Sequence, residues 1–358
     1  MSGILRLEKH RQTQVSNVTL SRMQIVHTVR EFGRTGGMEQ YVWRLTSELA
    51  VNHDVSVFCE KVVGDPPDGV RVIRPTANSK NVQSFSTSVR VWRQGVSQDN
   101  VIIHSHQSLC ASDVFTFHST PFGWLDNKKW WKKISPKWWL THRMYKNAMK
   151  SGVFQIIIPV SDILSEQIAT LYPFSKKHIG PTIAPGVDFK TPIPRRTSGN
   201  AIGFAGREWK RKGLEHVIHI IEAMPDYELV VAGPPSDELQ HLVDQVQGRI
   251  HVLGWIADMD TFFSKIDVLV HPATEEAYGM VVAEAMARGI PVVVSDTTGA
   301  AQHAKQFGKV VPISASIQAW TNAINEAIFE SRKGGNRFLR PWRNVSDEYY
   351  GVYQTLTL

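Results

Sequence analysis

Short runs rich in Val, Ile and Phe alternate with longer stretches whose apolar residues recur every three or four positions, almost from one end of the chain to the other. The first kind suits strands buried on both faces of a sheet, and the second suits amphipathic helices laid across them. Strands are expected at Met23–Val29, Val55–Cys59, Val70–Arg74, Val101–His106, Val114–His118 and Gln155–Val160. The rhythm restarts with Ala201–Ala205, Tyr227–Ala232, Ile250–Gly254, Val268–His271 and Pro291–Ser295. Between the two sets lies Phe189–Asn200, which holds Pro192, Pro194, Arg195, Arg196, Ser198 and Gly199, the composition of an exposed linker.

The pattern predicts an α/β protein of two doubly wound, Rossmann-like domains at 23–188 and 201–335, joined by the linker 189–200. A flexible tail, 1–22, precedes them. In the last segment, 336–358, Trp342, Val345, Tyr349, Val352, Tyr353 and Leu356 recur at helical spacing, so a terminal helix is expected to pack back on the first domain. No fixed-period repeat or low-complexity tract interrupts this organisation.

A length of 358 residues is too great for one ordinary core and suits two such domains, and two domains imply a cleft. Open α/β sheets bind ligands beyond the carboxyl ends of their strands, so facing sheets would share one site. The chain is 42% apolar and 20% charged, and it lacks the run of about 18 apolar residues that a membrane span needs. The first twenty-two residues lack the continuous apolar stretch of a signal peptide, which points to a cytoplasmic location. Cys59 and Cys110 read as buried, reduced thiols. A net charge of +7 and a pI near 9.3 favour anionic partners without choosing among nucleotides, lipid headgroups and nucleic acid.

The most informative stretch is 271–291. Glu276 falls in a loop after the strand Val268–His271, and Glu284 lies inside the helix that Gly279 is expected to open. A ligand can meet one carboxylate from the loop and the other from the helix, whose free N–H groups attract phosphate. Two solvated surface glutamates are the plain alternative. In the first half, Phe32-Gly33-Arg34-Thr35-Gly36-Gly37 leads into a helix pattern at Tyr41–Ala50, and Gly36 and Gly37 permit close backbone approach to a phosphate or sugar. The spacing departs from the three-glycine dinucleotide fingerprint, which disfavours a nicotinamide cofactor. After Ala201–Ala205 come Arg207 and Lys212, cations at a strand end where a diphosphate needs neutralising. Their neighbours Lys210 and Arg211 read as a solvated basic turn.

Asp258-Met259-Asp260 matches a metal-holding pattern, but both carboxylates precede a helix and read as a cap and a first-turn acid. No metal and no cofactor is expected. His118 ends a strand and is followed by Ser119, Thr120 and Pro121, a place where an imidazole can meet a substrate, while His104 and His106 end the neighbouring strand on one face. A structural role stays open for each of the three. Residues 124–150 interleave Trp124, Trp130, Trp131, Trp138 and Trp139 with lysines that include Lys128 and Lys133. That mixture reads first as a contact with an anionic membrane surface or a lipid-linked acceptor, against nucleic-acid stacking or core tryptophans beneath a wet lysine face.

Taken together these residues resemble the retaining glycosyltransferases of family 4, with GT-B architecture. The likeness spans about Met23 to Tyr353 and rests on the Glu276-x7-Glu284 and Gly206-Arg207-x4-Lys212-Gly213 signatures. Asn52–Val57 and Gly186-Val187-Asp188 also fit. The run Ala273–Gly279 is similar to that of bacterial transferases of the lipopolysaccharide core. The resemblance implies that Arg207 and Lys212 hold the donor diphosphate, with Gly37 opposite. It implies that Glu276 contacts the donor sugar, that Tyr278, Gly279, Met280 and Val281 line sugar and phosphate, and that Glu284 bonds the ribose. His118 matches a histidine placed near the reacting centre. Where many relatives have Asn-Gly-Val-Asp, this chain has Ala184-Pro185-Gly186-Val187-Asp188, so any role of that Asn is lost.

The expectation is a metal-independent, retaining hexosyltransferase using a nucleoside diphosphate sugar such as UDP-glucose. Its acceptor would be a glycan or lipid-linked molecule of lipopolysaccharide or another surface polysaccharide. It would sit peripherally on the inner face of the cell membrane and would not bind nucleic acid. The rival readings are a GT-B epimerase or phosphorylase and a noncatalytic nucleotide-sugar-binding protein at the membrane surface.

Overall fold

The computed structural model describes residues 22–76, 79, 81–95, 101–108, 110–121, 136–150, 153–188, 200–233, 235–243, 246, 248–333 and 337–357. The linker expectation therefore lies outside the described residues apart from Asn200, and the N-terminal tail apart from Arg22. Twelve strands form the two main sheets. In the first half they are β1 (Gln24–Thr28), β2 (Asp54–Phe58), β3 (Val70–Ile73), β4 (Val101–Ser105), β5 (Ser112–Phe117) and β6 (Phe154–Pro159). In the second they are β7 (Ala201–Ala205), β8 (Glu228–Ala232), β9 (Ile250–Gly254), β10 (Val268–His271), β11 (Val292–Ser295) and β12 (Gly308–Val311).

Both sheets are parallel and both run in the order 3-2-1-4-5-6, counted within each half. This is the doubly wound arrangement, with its switch point beside the first strand of each half. Strands buried on both faces explain the uninterrupted apolar runs: every residue of β7, β10 and β11 is buried. The eleven expected strands are present with small shifts at their ends. The twelfth, β12, reads Gly-Lys-Val-Val and carries too little apolar sequence to stand out. A two-residue ladder, Glu31–Phe32 with Lys61–Val62, was also beyond the pattern.

The helix Gly37–Leu49 starts four residues before its apolar pattern and buries Tyr41, Val42, Leu45, Thr46 and Leu49 along one stripe. Asn81 and Ser84 form a reciprocal capping box on Val82–Gln94, and Ser161 caps Asp162–Leu171. The terminal helix, Trp342–Gln354, buries Trp342, Val345, Tyr349, Val352 and Tyr353 and lies against Gly37–Leu49, as its periodicity predicts. One hydrophobic cluster runs from Ile25 and Tyr41 through this helix to Val282 and Met286, and so ties the halves together, while a second fills the far side of the C-terminal sheet around Trp320. Cys59 and Cys110 are free and buried, and burial pushes their thiols up to about 11 and about 12. No helix among the described residues is long and apolar enough to cross a membrane.

Candidate functional site

A cleft of about 920 Å³ lies between the halves and is lined by residues that follow the carboxyl ends of β1, β5, β6, β7, β8, β9 and β10. The first domain contributes Arg34 to Met38, Tyr41, His118 and Pro185, and the second contributes Arg207, Lys212, Glu276, Glu284 and their neighbours. Beside the cleft the halves are joined by Ser161, whose Oγ donates to the carbonyl of Ala277 at 2.6 Å while accepting from Leu164 N–H. That bridge was not foreseen, since nothing in the sequence pairs positions 161 and 277.

The cations sit where backbone space is scarce. Gly206, at φ +152°, lies directly under the Lys212 side chain: a Cβ there would stand 2.3 Å from Lys212 Cδ and would displace it. Gly213, at φ +85°, ends the short turn Trp209–Lys212, and a Cβ would reach within 2.2 Å of the Pro272 carbonyl oxygen. These glycines fold the lysine back against the strand ends. Lys212 Nζ then lies 3.2 Å from Glu276 Oε2. Arg207 is exposed and forms no ion pair among the described residues.

Arg211 corrects the sequence reading of a solvated turn. Its guanidinium donates to the Glu275 carbonyl, pairs with Glu208, and stands 3.5 Å from Glu276 Oε2, so it lines the cleft beside Lys212. Lys210 is exposed, over the Trp209 ring at 5.0 Å. A basic run alone cannot separate these two positions, since the turn decides which side chain points inward. Glu276 has 13% of its side chain exposed. Burial pushes its carboxyl up, but the nearby His271 imidazole at 3.7 Å and the charges of Lys212 and Arg211 outweigh this and hold it well below the usual range.

Gly279, at φ +96°, caps Met280–Ala287, and Tyr278, Gly279, Met280 and Val281 all reach the cleft wall. Glu284 is one turn into that helix and also lines the cleft. Burial raises its carboxyl to about 7, only partly opposed by Arg288, whose guanidinium is committed to Asp260 and to the Glu284 carbonyl. Across the cleft Gly36 caps Gly37–Leu49, and a Cβ at Gly37 would meet nothing within 4 Å. That is open cleft space.

The aspartates behave as the capping argument predicts. Asp258 accepts from Asp260 N–H at 3.1 Å, and Asp260 pairs with Arg288 at 2.6 Å. Trp255, directly after β9, is 77% exposed and lines the cleft; an aromatic at a strand end was the available signal, and the sequence reading passed over it.

Of the three strand-end histidines only His118 reaches the cleft wall. His104 is fully buried and bonds Tyr353 OH at 2.6 Å and Thr116 Oγ1 at 2.7 Å, which anchors the terminal helix. His106 is buried behind His118. His27, His104 and His106 form a cluster in which one ring nitrogen of each lies within 4.8 Å of the others, a grouping that strands 77 residues apart conceal in the sequence. The nitrogens of these three rings, apart from His27 Nε2, bond one another, His118 or hydroxyl groups. Of the residues read as a membrane or acceptor contact, Trp124, Lys128, Trp130, Trp131 and Lys133 lie outside the described residues. Trp138 is half-buried and stacked on His142, and its neighbours Trp139 and Leu140 are the exposed ones, at 59% and 63%.

Residues 35–190 match the family described as Glycosyltransferase Family 4, and residues 199–329 match Glycosyl transferases group 1. A GDP-mannose-dependent alpha-mannosyltransferase of Mycolicibacterium smegmatis is 28% identical over 164 residues, 43% of each chain, so the chain spans less than half of that relative's length in the match. A D-inositol 3-phosphate glycosyltransferase of Jonesia denitrificans is 24% identical over 90% of this chain and 92% of its own. Among solved structures, WaaG, a glycosyltransferase involved in lipopolysaccharide biosynthesis, matches with a TM-score of 0.70 at 16% identity over 91% of this chain and 95% of its own. Anabaena HepE in complex with UDP-glucose matches at 0.68 and 16% identity over 93% of this chain and 100% of its own.

Proposed function

Since the chain belongs to the family 4 glycosyltransferases and has their GT-B fold, we propose that it transfers a hexose from a nucleoside diphosphate sugar to a glycan or lipid-linked acceptor. Transfer proceeds with retention at the anomeric carbon and without a metal ion. The observation that carries this reading is the convergence of Arg207, Lys212, Glu276 and Glu284 on one cleft with Gly37 and His118 facing them. HepE, a structural neighbour, was solved with UDP-glucose, which makes that donor the first to try; the GDP-mannose-dependent relative makes GDP-mannose the second.

The diphosphate lies between Arg207 and Lys212 and the N–H groups at the start of Met280–Ala287. Gly37 leaves room on the other wall. Glu276, ionised, accepts from sugar hydroxyls, and Glu284 accepts from the ribose. As the bond from the anomeric carbon to the phosphate oxygen breaks, charge grows on the diphosphate, where preplaced cations stabilise it. The acceptor oxygen forms the new bond on the same face and passes its proton to the departing phosphate oxygen. Asp258 and Asp260 are occupied with a helix cap and Arg288, which supports a charge balance supplied by side chains. The exposed Trp139 and Leu140 beside Arg143 and Lys146 support a place at an anionic membrane surface on the cytoplasmic side, where lipopolysaccharide or other surface polysaccharide precursors would be extended.

The test is a panel of nucleoside diphosphate sugars incubated with the protein, with and without membrane extract and with and without EDTA. Release of nucleoside diphosphate coupled to an α-configured product from an α-linked donor is expected, unchanged by EDTA. An inverted product, or activity lost with EDTA and restored by Mg²⁺, contradicts the mechanism. Sugar phosphate or epimerised donor would instead identify a phosphorylase or epimerase, and binding without turnover a noncatalytic protein.

A further inference from the structure

Three imidazoles make a continuous chain from the centre of the first sheet to the cleft wall. His27 Nδ1 lies 2.9 Å from His106 Nε2, and His106 Nδ1 lies 2.8 Å from His118 Nε2. His27 is fully buried and His106 is 3% exposed, whereas His118 lines the cleft. Burial lowers all three, His27 and His118 to about 3, so each ring is neutral and carries one proton.

In a chain of neutral imidazoles each link holds one proton, and the choice at one end sets every other ring. Two polarities exist. In one, every ring is protonated on Nδ1, so His27 donates to His106 and His106 donates to His118. In the other, every ring is protonated on Nε2 and the donations run backwards. The far end decides between them, because His27 Nε2 is buried without a hydrogen-bond partner. The second polarity would strand a buried N–H there, whereas the first leaves only a bare lone pair. Stranded buried N–H groups are the rarer and costlier of the two. The neighbouring His104 does not disturb the choice, since both of its nitrogens are engaged by Tyr353 and Thr116. Tyr41 packs edge-on against the His118 ring at 4.7 Å and limits its rotation.

We propose that His27 and His106 are positioning residues that hold His118 as its Nδ1–H tautomer, so that it offers a hydrogen-bond donor, and no basic nitrogen, to a hydroxyl of the sugar bound in the cleft. The proposal rests on the glycosyl-transfer reading above for the identity of that sugar. It adds a constraint to it: His118 Nε2 is filled by His106 and Nδ1 already holds a proton, so His118 cannot take the acceptor's proton.

The experiment is a nitrogen–proton correlation spectrum of the full chain labelled with ¹⁵N in its histidine rings, with His118 assigned by the signal missing from His118→Gln. The expected result is a protonated Nδ1 and an unprotonated Nε2 on His118, with the Nδ1 signal shifted by UDP-glucose or GDP-mannose beyond the shift that UDP or GDP gives. His27→Asn keeps a donor facing His106 and should keep that tautomer. His27→Asp puts an acceptor there and should reverse the chain, with kcat falling about tenfold or more and KM changing less. A wild-type His118 protonated on Nε2 overturns the proposal whether or not either variant folds, and so does a His118 signal indifferent to the sugar of a nucleotide sugar that the protein turns over. An Nδ1–H tautomer in a protein that transfers no sugar from any donor of the panel leaves the tautomer assignment standing and overturns the transferase reading, along with the sugar as the partner of His118.

Discussion

Lys212 Nζ is 3.2 Å from Glu276 Oε2, whereas Arg207, five positions earlier and just before that turn, is exposed and unpaired among the described residues. One cation of the pair is thus built into the site and the other is free to meet a ligand. Losing them should have different signatures. Lys212→Met leaves a largely buried carboxylate short of its nearest charge and should cost about 1–3 kcal/mol of stability as well as activity. Arg207→Met should leave stability within about 0.5 kcal/mol of wild type while lowering turnover on the order of a hundredfold. Thermal denaturation beside donor turnover separates the two; equal melting temperatures would contradict the asymmetry.

Two glycines of the cleft also part company. A Cβ at Gly37 meets nothing within 4 Å, but one at Gly206 strikes Lys212 Cδ at 2.3 Å in a backbone region that suits glycine. Gly37→Ala should fold as well as wild type and raise the donor KM on the order of tenfold, since the methyl enters ligand space at a cost of about 1.4 kcal/mol. Gly206→Ala should lower the melting temperature and displace Lys212. Unchanged donor affinity in Gly37→Ala would remove that glycine from the site.

The contrast between those glycines marks what could be read from the chain alone. Parallel strands buried on both faces write themselves as apolar runs, and so eleven of the twelve main strands, the terminal helix and the carboxylates at 276 and 284 were legible. β12 was not, because it is short and carries Gly308 and Lys309. Arg211 was misplaced because the direction of a side chain in a basic run depends on the turn that Gly206 and Gly213 permit. The histidine cluster and the Ser161–Ala277 bridge join positions up to 116 apart and exist only once the sheets are assembled.

Glu284 makes the site sensitive to pH near neutrality. Its carboxyl is raised to about 7 by burial, against an ordinary value of 4.5. A raised acid stabilises the fold below its unfolded value and loses that contribution as pH climbs through the folded value, so the free protein should lose stability between about pH 4.5 and 7 from this group. Glu284→Gln should flatten that part of the profile. Binding runs the other way, because ribose hydroxyls donate to the ionised form. UDP affinity should therefore rise as pH passes 7, with proton release at pH 7 in calorimetric titrations run in two buffers of different ionisation enthalpy. Proton uptake on binding would count against a ribose contact.

The helix Pro136–Lys150 presents Trp139 and Leu140 to solvent, at 59% and 63% exposure, with Arg143, Lys146 and Lys150 also exposed. From Trp139 the cations follow at four, seven and eleven positions, which places them along one side of the helix with the indole at its end. An indole and an isobutyl group left in water each forgo about 1.5–3 kcal/mol of burial, which a lipid boundary can return while anionic headgroups meet the cations. Trp139→Ser with Leu140→Ser should reduce co-sedimentation with vesicles rich in anionic lipid by tenfold or more, and added salt should weaken the wild-type protein in the same assay. Both positions lie outside the cleft lining, so release of nucleoside diphosphate in the absence of membranes should be unchanged. Loss of that release together with vesicle binding would show that the helix supports the fold, and retention of vesicle binding would move the membrane contact elsewhere on the chain.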